Sequence, residues 1–343
     1  MRENVKYYQE DNYAQLVRTV DLKKDFTNND FVYVDEFAYD FLWRVQLKEP
    51  NIVLPNIGAN IGEKYYVSPK DLPKEKNVLG PNAILLRSKC NDTHFVFFRL
   101  STSSYDNEMK KLVGASGQPK FNKTDLKKVR LFIPSLKEQK KISYFLGLLE
   151  ERIATQNKII DKLQSLIKGI AQKIVRNNMP NVRLTECLEC KSSTLQESEV
   201  CEQGTYPVYG ANGIVGYLDN YNTEGEAVYI IKDGSGVGTV SYVTGKCSAT
   251  GTLNTLQAKD GYSLQYLYYL LKVFNFEPYK TGMAIPHIYF KDYGKAKVFC
   301  PSYTEQLQYA RLLYAIESKL SIEKNILTSL SLQKQYLLRQ MFI

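Results

Sequence analysis

Two long stretches of the chain carry apolar residues at alternating steps of three and four. This is the a/d spacing of helices that pack along a narrow seam in a coiled coil, so we predict two long helices. Both stripes carry a polar residue at the same, fourth position, Gln156 in the first and Glu323 in the second. The predicted seam residues are Leu146, Leu149, Ile153, Ile160, Leu163, Ile167, Leu313, Ile316, Leu320, Leu327, Leu330 and Leu337.

The same motif opens both predicted helices. It reads Ile-Pro-Ser-Leu-Lys-Glu-Gln at residues 133–139 and Cys-Pro-Ser-Tyr-Thr-Glu-Gln at residues 300–306. Proline suits a first helical turn, serine can cap it, and the following Glu favours the exposed N-terminal amides. Pro301 lies 167 residues after Pro134, and the same shift superposes the two apolar stripes. The chain is therefore predicted to be a tandem duplication.

Matching segments also precede each helix. Gly58-Ala-Asn-Ile-Gly62 parallels Gly234-Ser-Gly-Val-Gly238, and the aromatic residues 94–100 parallel residues 265–271. Short β-rich runs separated by glycine turns dominate these regions, with one short helix in each. We predict an α+β fold in which each half has a β-rich globular domain and a long helix. The two helices would form an antiparallel coiled coil, roughly 60 Å long at about 1.5 Å per residue.

The predicted boundaries follow from the helix motifs. They place globular domains at residues 1–133 and 179–300 and helices at residues 134–178 and 301–343. Asn177-Asn-Met-Pro180 ends the first helix, because proline cannot continue it.

Composition and charge suggest a polyanionic partner. The chain has 343 residues, a net charge of +9 and 24% charged residues, which suits two globular domains. Ten Lys and Arg against two carboxylates lie between Lys110 and Lys141, a pattern typical of phosphate binding or simply of a solvated surface. No apolar run is long enough to span a bilayer and the N-terminus lacks a signal-peptide core. We expect a cytoplasmic protein that does not enter membranes.

Enzymatic and metal chemistry are not indicated. Cys187 and Cys190 have the spacing of half a zinc site, but no second pair follows, and His94 and His287 are the only histidines. We expect reduced thiols, no metal and no cofactor on this chain. The glycines at 234, 236 and 238 precede a β-rich run, whereas a nucleotide-binding turn opens a helix.

The chain resembles the specificity subunits of type I restriction-modification systems along essentially its whole length. The resemblance rests on Tyr-Pro-Val-Tyr-Gly-Ala-Asn-Gly-Ile-Val-Gly at residues 206–216, on Thr-Gly-Met-Ala-Ile-Pro-His-Ile at residues 281–288, and on both helix openings. Residues 114–121 look like the first copy of the second segment. The first domain departs from the pattern, since it has no clear Tyr-Pro-Val-Tyr-Gly segment before Gly58.

The resemblance implies two target-recognition domains that read a split, asymmetric site in double-stranded DNA, with the helices setting the spacer. It also implies two modification subunits, which carry the S-adenosylmethionine chemistry of DNA methylation, and restriction subunits that join the complex. Catalysis belongs to those partners and not to this chain.

Candidate DNA-binding residues lie at the matched turns and before each long helix, where Asn, Ser and Lys can reach bases and phosphates. They are Asn56, Asn60, Lys64, Lys120, Tyr209, Asn212, Lys232, Ser235, Lys246, Lys280 and His287. Two alternatives stay open at this point. The chain could be the recognition region of a fused DNA methyltransferase, or a coiled-coil scaffold that contacts only protein.

Overall fold

The computed structural model describes residues 5–58, 60–113, 120–282 and 284–342 and divides into two compact units. Unit 1 is Met1–Thr155 with Leu327–Ile343, and unit 2 is Gln156–Ile326. Each unit thus contains one globular part and a segment of each long helix. Of the motifs used above, Ala59, Met283 and residues 114–119 lie outside the described residues.

Unit 1 places six short strands and five short helices before the first long helix. The strands are β1 Ala14–Val17, β2 Val32–Val34, β3 Asn51–Pro55, β4 Tyr65–Val67, β5 Asn77–Leu79 and β6 Ala83–Leu86. The helices are α1 Thr19–Lys23, α2 Glu36–Phe41, α3 Thr93–Leu100, α4 Ser103–Leu112 and α5 Lys123–Leu126, followed by the long α6 Leu136–Arg176. Single 3-10 turns occupy Trp43–Val45 and Pro69–Asp71.

Unit 2 continues with a second β-rich part and ends in the second long helix. The strands are β7 Val182–Arg183, β8 Leu188–Ser192, β9 Tyr206–Gly210, β10 Gly213–Leu218, β11 Ala227–Ile231, β12 Val240–Val243, β13 Ser248–Ala249, β14 Leu253–Ala258 and β15 Lys297–Val298. The helices are α7 Leu184–Cys187, α8 Leu264–Leu271, α9 Phe290–Tyr293 and α10 Tyr303–Met341. Glu197–Glu199 and Glu277–Tyr279 form 3-10 turns.

The two units share a pair of three-stranded arrangements, to which unit 2 adds β8 and the β15-β7 pair. Unit 1 has sheets of order β2-β1-β5 and β4-β3-β6, and unit 2 has β10-β9-β13 and β12-β11-β14-β8 with a separate β15-β7 pair. In the first sheet of each unit, the middle strand pairs antiparallel with the next strand and parallel with a later one. The duplication therefore extends to β1 and β9. The sequence match did not reach that far, because Ala14-Gln-Leu-Val17 and Tyr206-Pro-Val-Tyr-Gly210 share almost no side chains.

Each long helix begins with the same capping box. The Ser135 hydroxyl donates to Glu138 at 2.6 Å and its backbone N–H donates to the same carboxylate oxygen at 3.1 Å. Ser302 makes both bonds to Glu305 at the same distances. These bonds satisfy groups that a helix start otherwise leaves without partners, so the motif fixes where both helices begin.

The helices run antiparallel where unit 1 contains both. Lys334 pairs with Glu150 at 2.6 Å, while Phe342 joins the hydrophobic core around Leu146. Moving toward the start of α6 therefore means moving toward the end of α10. Within unit 2, the Gln156 amide donates to the Glu323 carboxylate and, at 3.1 Å, to the Glu323 carbonyl. All twelve predicted seam residues are buried or half-buried.

Apolar cores lie beneath the sheets. In unit 1 one core joins β3, β6, α3 and α4 to the start of α6 through residues such as Ile52, Phe98 and Leu146. In unit 2, Tyr229 and Leu253 belong to a core between the two larger sheets. Within the described ranges, no helix is long and apolar enough to cross a membrane.

Candidate nucleic-acid interface

A glycine turn follows β3 in unit 1 and β11 in unit 2, at residues 56–62 and 232–238. Gly58 and Gly234 have φ of 88° and 96°, and Gly62 and Gly238 both have φ of 91°. Side chains with a Cβ are disfavoured at such angles, so this backbone path requires glycine at both positions. A strand follows each turn, β4 or β12, as the hairpin interpretation predicts and a nucleotide-binding turn does not.

The segment just before each long helix pairs with the glycine turn. We call residues 120–122 and 280–288 the pre-helix segments. Phe121 donates its N–H to the Asn56 carbonyl at 3.2 Å, and Ile288, 167 residues later, donates to the Lys232 carbonyl at 2.9 Å. Ile57 bridges Lys120 just as Asp233 bridges His287. The same backbone contacts thus bring two predicted groups of residues together in both units.

The four candidate side chains of unit 1 differ in whether another residue already binds them. The Asn56 side chain donates to the Phe121 carbonyl at 3.2 Å, which braces the two segments against each other. Asn60 accepts a bond from Lys23 at 3.1 Å, and Lys120 is exposed. Lys64 is only 11% exposed and pairs with Asp106 at 2.5 Å, so its ammonium already has a counterion.

Four candidates of unit 2 lie in the second glycine turn and the pre-helix segment paired with it. Ser235 is exposed at the tip of the glycine turn, and Lys232 is half-buried beside it. Lys280 pairs with Glu277 at 2.6 Å on the surface. The His287 ring lies 3.2 Å from the Ile285 carbonyl through Nδ1 and packs edge-on against Tyr289.

Tyr209, Asn212 and Lys246 lie on the neighbouring sheet. Tyr209 is half-buried, and this burial raises the pKa of its hydroxyl; its ring centroid lies 5.6 Å from that of Tyr229. Asn212 occupies the exposed turn between β9 and β10. Lys246 lies over the Tyr221 ring at 4.8 Å. Tyr209 approaches the loop pair through the backbone of residues 250–252, which bonds both Tyr209 and Lys232.

In each unit, the glutamine of the helix-opening motif binds the start of a short helix in the globular part. The Gln139 side chain accepts the Asp92 N–H at 2.9 Å, and Gln306 accepts the Ser263 N–H at the same distance. Asp92 and Ser263 are the N-caps of α3 and α8. Each glutamine also donates to the carbonyl of its motif proline at 2.9 Å. The sequence motif contains this glutamine, but its spacing alone indicates only a helix start and not the contact with the preceding short helix.

A matched carboxylate makes a second attachment about three turns further along each long helix. Glu317 accepts bonds from Tyr269 at 2.7 Å and Lys272 at 2.8 Å, both on or next to α8. Burial disfavours its charge, but these hydrogen bonds outweigh burial and lower the pKa of Glu317. Glu150, its counterpart in unit 1, pairs with His94 of α3 at 3.4 Å. Each globular part is therefore anchored to its long helix by polar contacts at two matched helix positions.

The comparisons with known proteins agree with this duplicated arrangement. The family model of the type I restriction modification DNA specificity domain matches residues 7–165 and again residues 177–332. The chain belongs to this family.

Individual relatives are distant. A putative type I specificity subunit of Mycoplasma genitalium is 25% identical over 243 residues, which are 64% of this chain and 63% of that protein. The Escherichia coli type I restriction enzyme EcoprrI specificity subunit is 28% identical over 112 residues, 33% of this chain and 28% of the relative. Both matches span less than two thirds of the relative.

Solved structures share the fold. The crystal structure of a type I restriction-modification S subunit from Mycoplasma genitalium superposes with a TM-score of 0.64 at 20% identity. That match covers 86% of this chain and 83% of the other. A structure described as the basis of complex assembly and conformational transition of the type I system gives 0.52 at 16% identity, with 85% and 81% covered.

The second specificity domain also exposes apolar residues that sequence reasoning missed. Ile285 is 66% exposed in the pre-helix segment, and Tyr289 beside it carries Lys291 over its ring at 5.1 Å. An exposed aliphatic and a tyrosine under a lysine can contact bases and sugars where the loop pair is open. The sequence signal for this exposed contact is Ile285 itself, an apolar residue within a segment of turn residues. Among the described residues, no group of His, Cys, Asp and Glu could hold a metal ion.

Proposed function

We propose that this chain is the DNA-reading subunit of a type I restriction-modification complex and performs no catalysis itself. Residues 1–133 read one half of a split site in double-stranded DNA, and residues 179–300 read the other. The helices at residues 134–178 and 301–343 form a coiled coil that sets the spacing between the halves. S-adenosylmethionine binds to the modification subunits.

One observation carries this proposal: the same loop pair is built twice with different side chains. Backbone bonds and glycine angles match between the glycine turns, but Asn56 stands where the second copy has Lys232, and Lys120 where it has His287. A common backbone presents both loops similarly, whereas unlike side chains recognise unlike base edges. Two such readers suit an asymmetric bipartite site.

The residues divide between phosphates and bases. Lys120, Lys232, Lys246 and Lys280 contact phosphates, where their charge releases counterions. The remaining candidates offer hydrogen bonds to base edges, as amides and hydroxyls commonly do; they are Asn56, Asn60, Tyr209, Asn212, Ser235 and His287. Lys64 contributes least, because binding a phosphate would break its ion pair with Asp106.

DNA binding by the complex with its modification subunits tests the reading role. We expect affinity for duplex DNA to fall steeply with salt, and Lys232→Ala or Lys280→Ala to reduce the slope of log K against log salt by about one each. Lys297→Ala, an exposed lysine on β15 away from the loop pair, is the matched control. Equal effects of all three variants, or binding insensitive to salt, would contradict the assignment.

The partners are two modification subunits, joined by restriction subunits in the cytoplasm. Exposed apolar residues at equivalent positions of the two helices support this stoichiometry: Phe145 is 46% exposed and Leu312, 167 residues later, is 50% exposed. Two exposed apolar side chains at equivalent helix positions suit two copies of one partner. The solved relative whose description names complex assembly has the same fold.

The two positions can be separated experimentally. Phe145→Ser and Leu312→Ser are each expected to lower the number of bound modification subunits from two toward one, and the double variant toward none. Native mass spectrometry of the co-purified complex reads this directly. Tyr336→Ser, which removes an exposed aromatic side chain elsewhere on α10, serves as the control. Retention of two partners by the double variant would refute this docking surface.

A further inference from the structure

Unit 1 contains an open cavity of about 470 Å³ between the end of α3 and the start of α6. Its walls are mainly apolar and include Phe95, Phe132, Ile142 and Phe342. Two cationic side chains, Arg99 and Lys141, also line the cavity. The volume lies within the range of pockets that hold small organic molecules.

Arg99 is a buried cation to which the described residues supply no counterion. It is 6% exposed, and its guanidinium donates to the Thr102 hydroxyl at 3.0 Å. Among the described residues no carboxylate lies within ion-pair distance of it. The carboxylate in the lining, Glu138, is held by the Ser135 hydroxyl and N–H in the helix cap. Burying a charge without a partner is costly, so this arrangement points to a ligand.

The second copy shows that the fold does not need an arginine there. By the shifts that align the copies, Leu270 stands at the position of Arg99, Tyr266 at that of Phe95 and Tyr309 at that of Ile142. The Tyr266 hydroxyl donates to the Phe299 carbonyl at 2.7 Å, and its ring centroid lies 6.2 Å from that of Tyr309. Two tyrosines and a leucine thus occupy the region that in unit 1 has smaller side chains and a charge.

We propose that this cavity binds a monocarboxylate with an aromatic or branched apolar body. The Arg99 guanidinium pairs with the carboxylate, as its planar donors suit that group, while Phe95 and Ile142 contact the apolar body. Lys141 lies at the exposed rim and adds attraction. The Glu138 carboxylate disfavours a second negative charge, so a carboxylate is preferred over a phosphate ester. This site is separate from DNA reading and does not depend on it.

Calorimetry on the full-length chain tests the ligand class with three related probes. 3-Phenylpropionate is expected to bind at least tenfold more tightly than its neutral amide, 3-phenylpropanamide, because a charged hydrogen bond is lost. Phenyl phosphate is expected to bind more weakly than the carboxylate. Equal binding of the amide, tighter binding of the phosphate, or no binding of the carboxylate would each overturn the proposal.

Variants copied from the second unit test the residues. Arg99→Leu is expected to weaken 3-phenylpropionate binding at least tenfold without lowering the unfolding midpoint of the unliganded chain, since it removes a buried charge that no carboxylate of the described residues pairs with. Ile142→Tyr is expected to abolish binding by filling the cavity while Arg99 remains. Arg152→Leu, at an exposed position of α6, controls for the lost charge and is expected to bind normally. Unchanged binding by Ile142→Tyr, or a lower midpoint of Arg99→Leu, would contradict the site.

Discussion

Single residues explain why the helix-opening motif recurs. Its serine and glutamate close a capping box, and its glutamine reaches the N-cap of the short helix that precedes it. The second task needs a side chain that both donates and accepts at a fixed distance, which a glutamine does and a glutamate does not. The motif therefore attaches a recognition domain to a helix as well as starting that helix.

Loss of the buried glutamine should destabilise the chain. In Gln306→Ala, the N–H of Ser263 and the carbonyl of Pro301 lose their partners in a buried place, at a cost of about 1–3 kcal/mol in the free energy of unfolding. Gln308→Ala, at an exposed position two residues further, should change it by less than about 0.5 kcal/mol. Urea denaturation compares the two. Similar stabilities would mean that the motif glutamine is not an anchor.

Glu317 should make stability depend on acid pH. Burial opposes its charge, but bonds from Lys272 and Tyr269 lower its pKa below the ordinary value of 4.5. A lowered carboxylate pKa adds stability above 4.5 that is lost as pH falls through the value in the folded state. The stability difference between the natural chain and Glu317→Gln should therefore be largest near neutral pH and shrink below pH 4.5. A difference that stays constant with pH would contradict this anchor.

At the scale of elements, apolar spacing predicted both long helices, because a stripe at steps of three and four has few other structural solutions. The first sheet of unit 1 could not be matched in advance. Strands β1 and β9 share hydrogen-bond topology but not side chains, and backbone pairing leaves little trace in a sequence. The pairing of Lys64 with Asp106 was equally hidden, since the partners are 42 residues apart.

The glycine turns and pre-helix segments were predicted as candidates from their position in the repeat. Their direct pairing through Asn56 and Phe121, or Lys232 and Ile288, depends on tertiary contacts that sequence spacing does not express. The role of each candidate side chain remains a proposal, because readout depends on how loops meet DNA and on how the DNA deforms.

Shortening one helix tests whether the helices act as a spacer. Deletion of the heptad at residues 160–166 removes about 10 Å of helix, equivalent to about three base pairs of duplex. We expect either a shorter gap between two unchanged half-sites or failure of the complex to assemble, as a disrupted seam would cause. Methylation mapping of cells expressing the deletion gives the result. A changed half-sequence with an unchanged gap would rule out the spacer role.

For the whole molecule, duplication supplies two similar frames, and divergence makes them unlike. The sheets, glycine turns and helix anchors repeat, whereas the side chains at the loops differ. The cavity around Arg99 follows the same rule, since it exists where the first copy departs from the second. A family member built in this way can vary what it binds without changing how it folds.

If the proposed function is right, this chain directs modification to one bipartite DNA sequence. The most direct measurement is genome-wide methylation mapping in host cells with the gene intact and with the gene disrupted. We expect one asymmetric motif, two short defined halves around an unspecified gap, that is methylated in intact cells and unmethylated after disruption. Identical methylation in both, or loss of only a continuous motif, would contradict it.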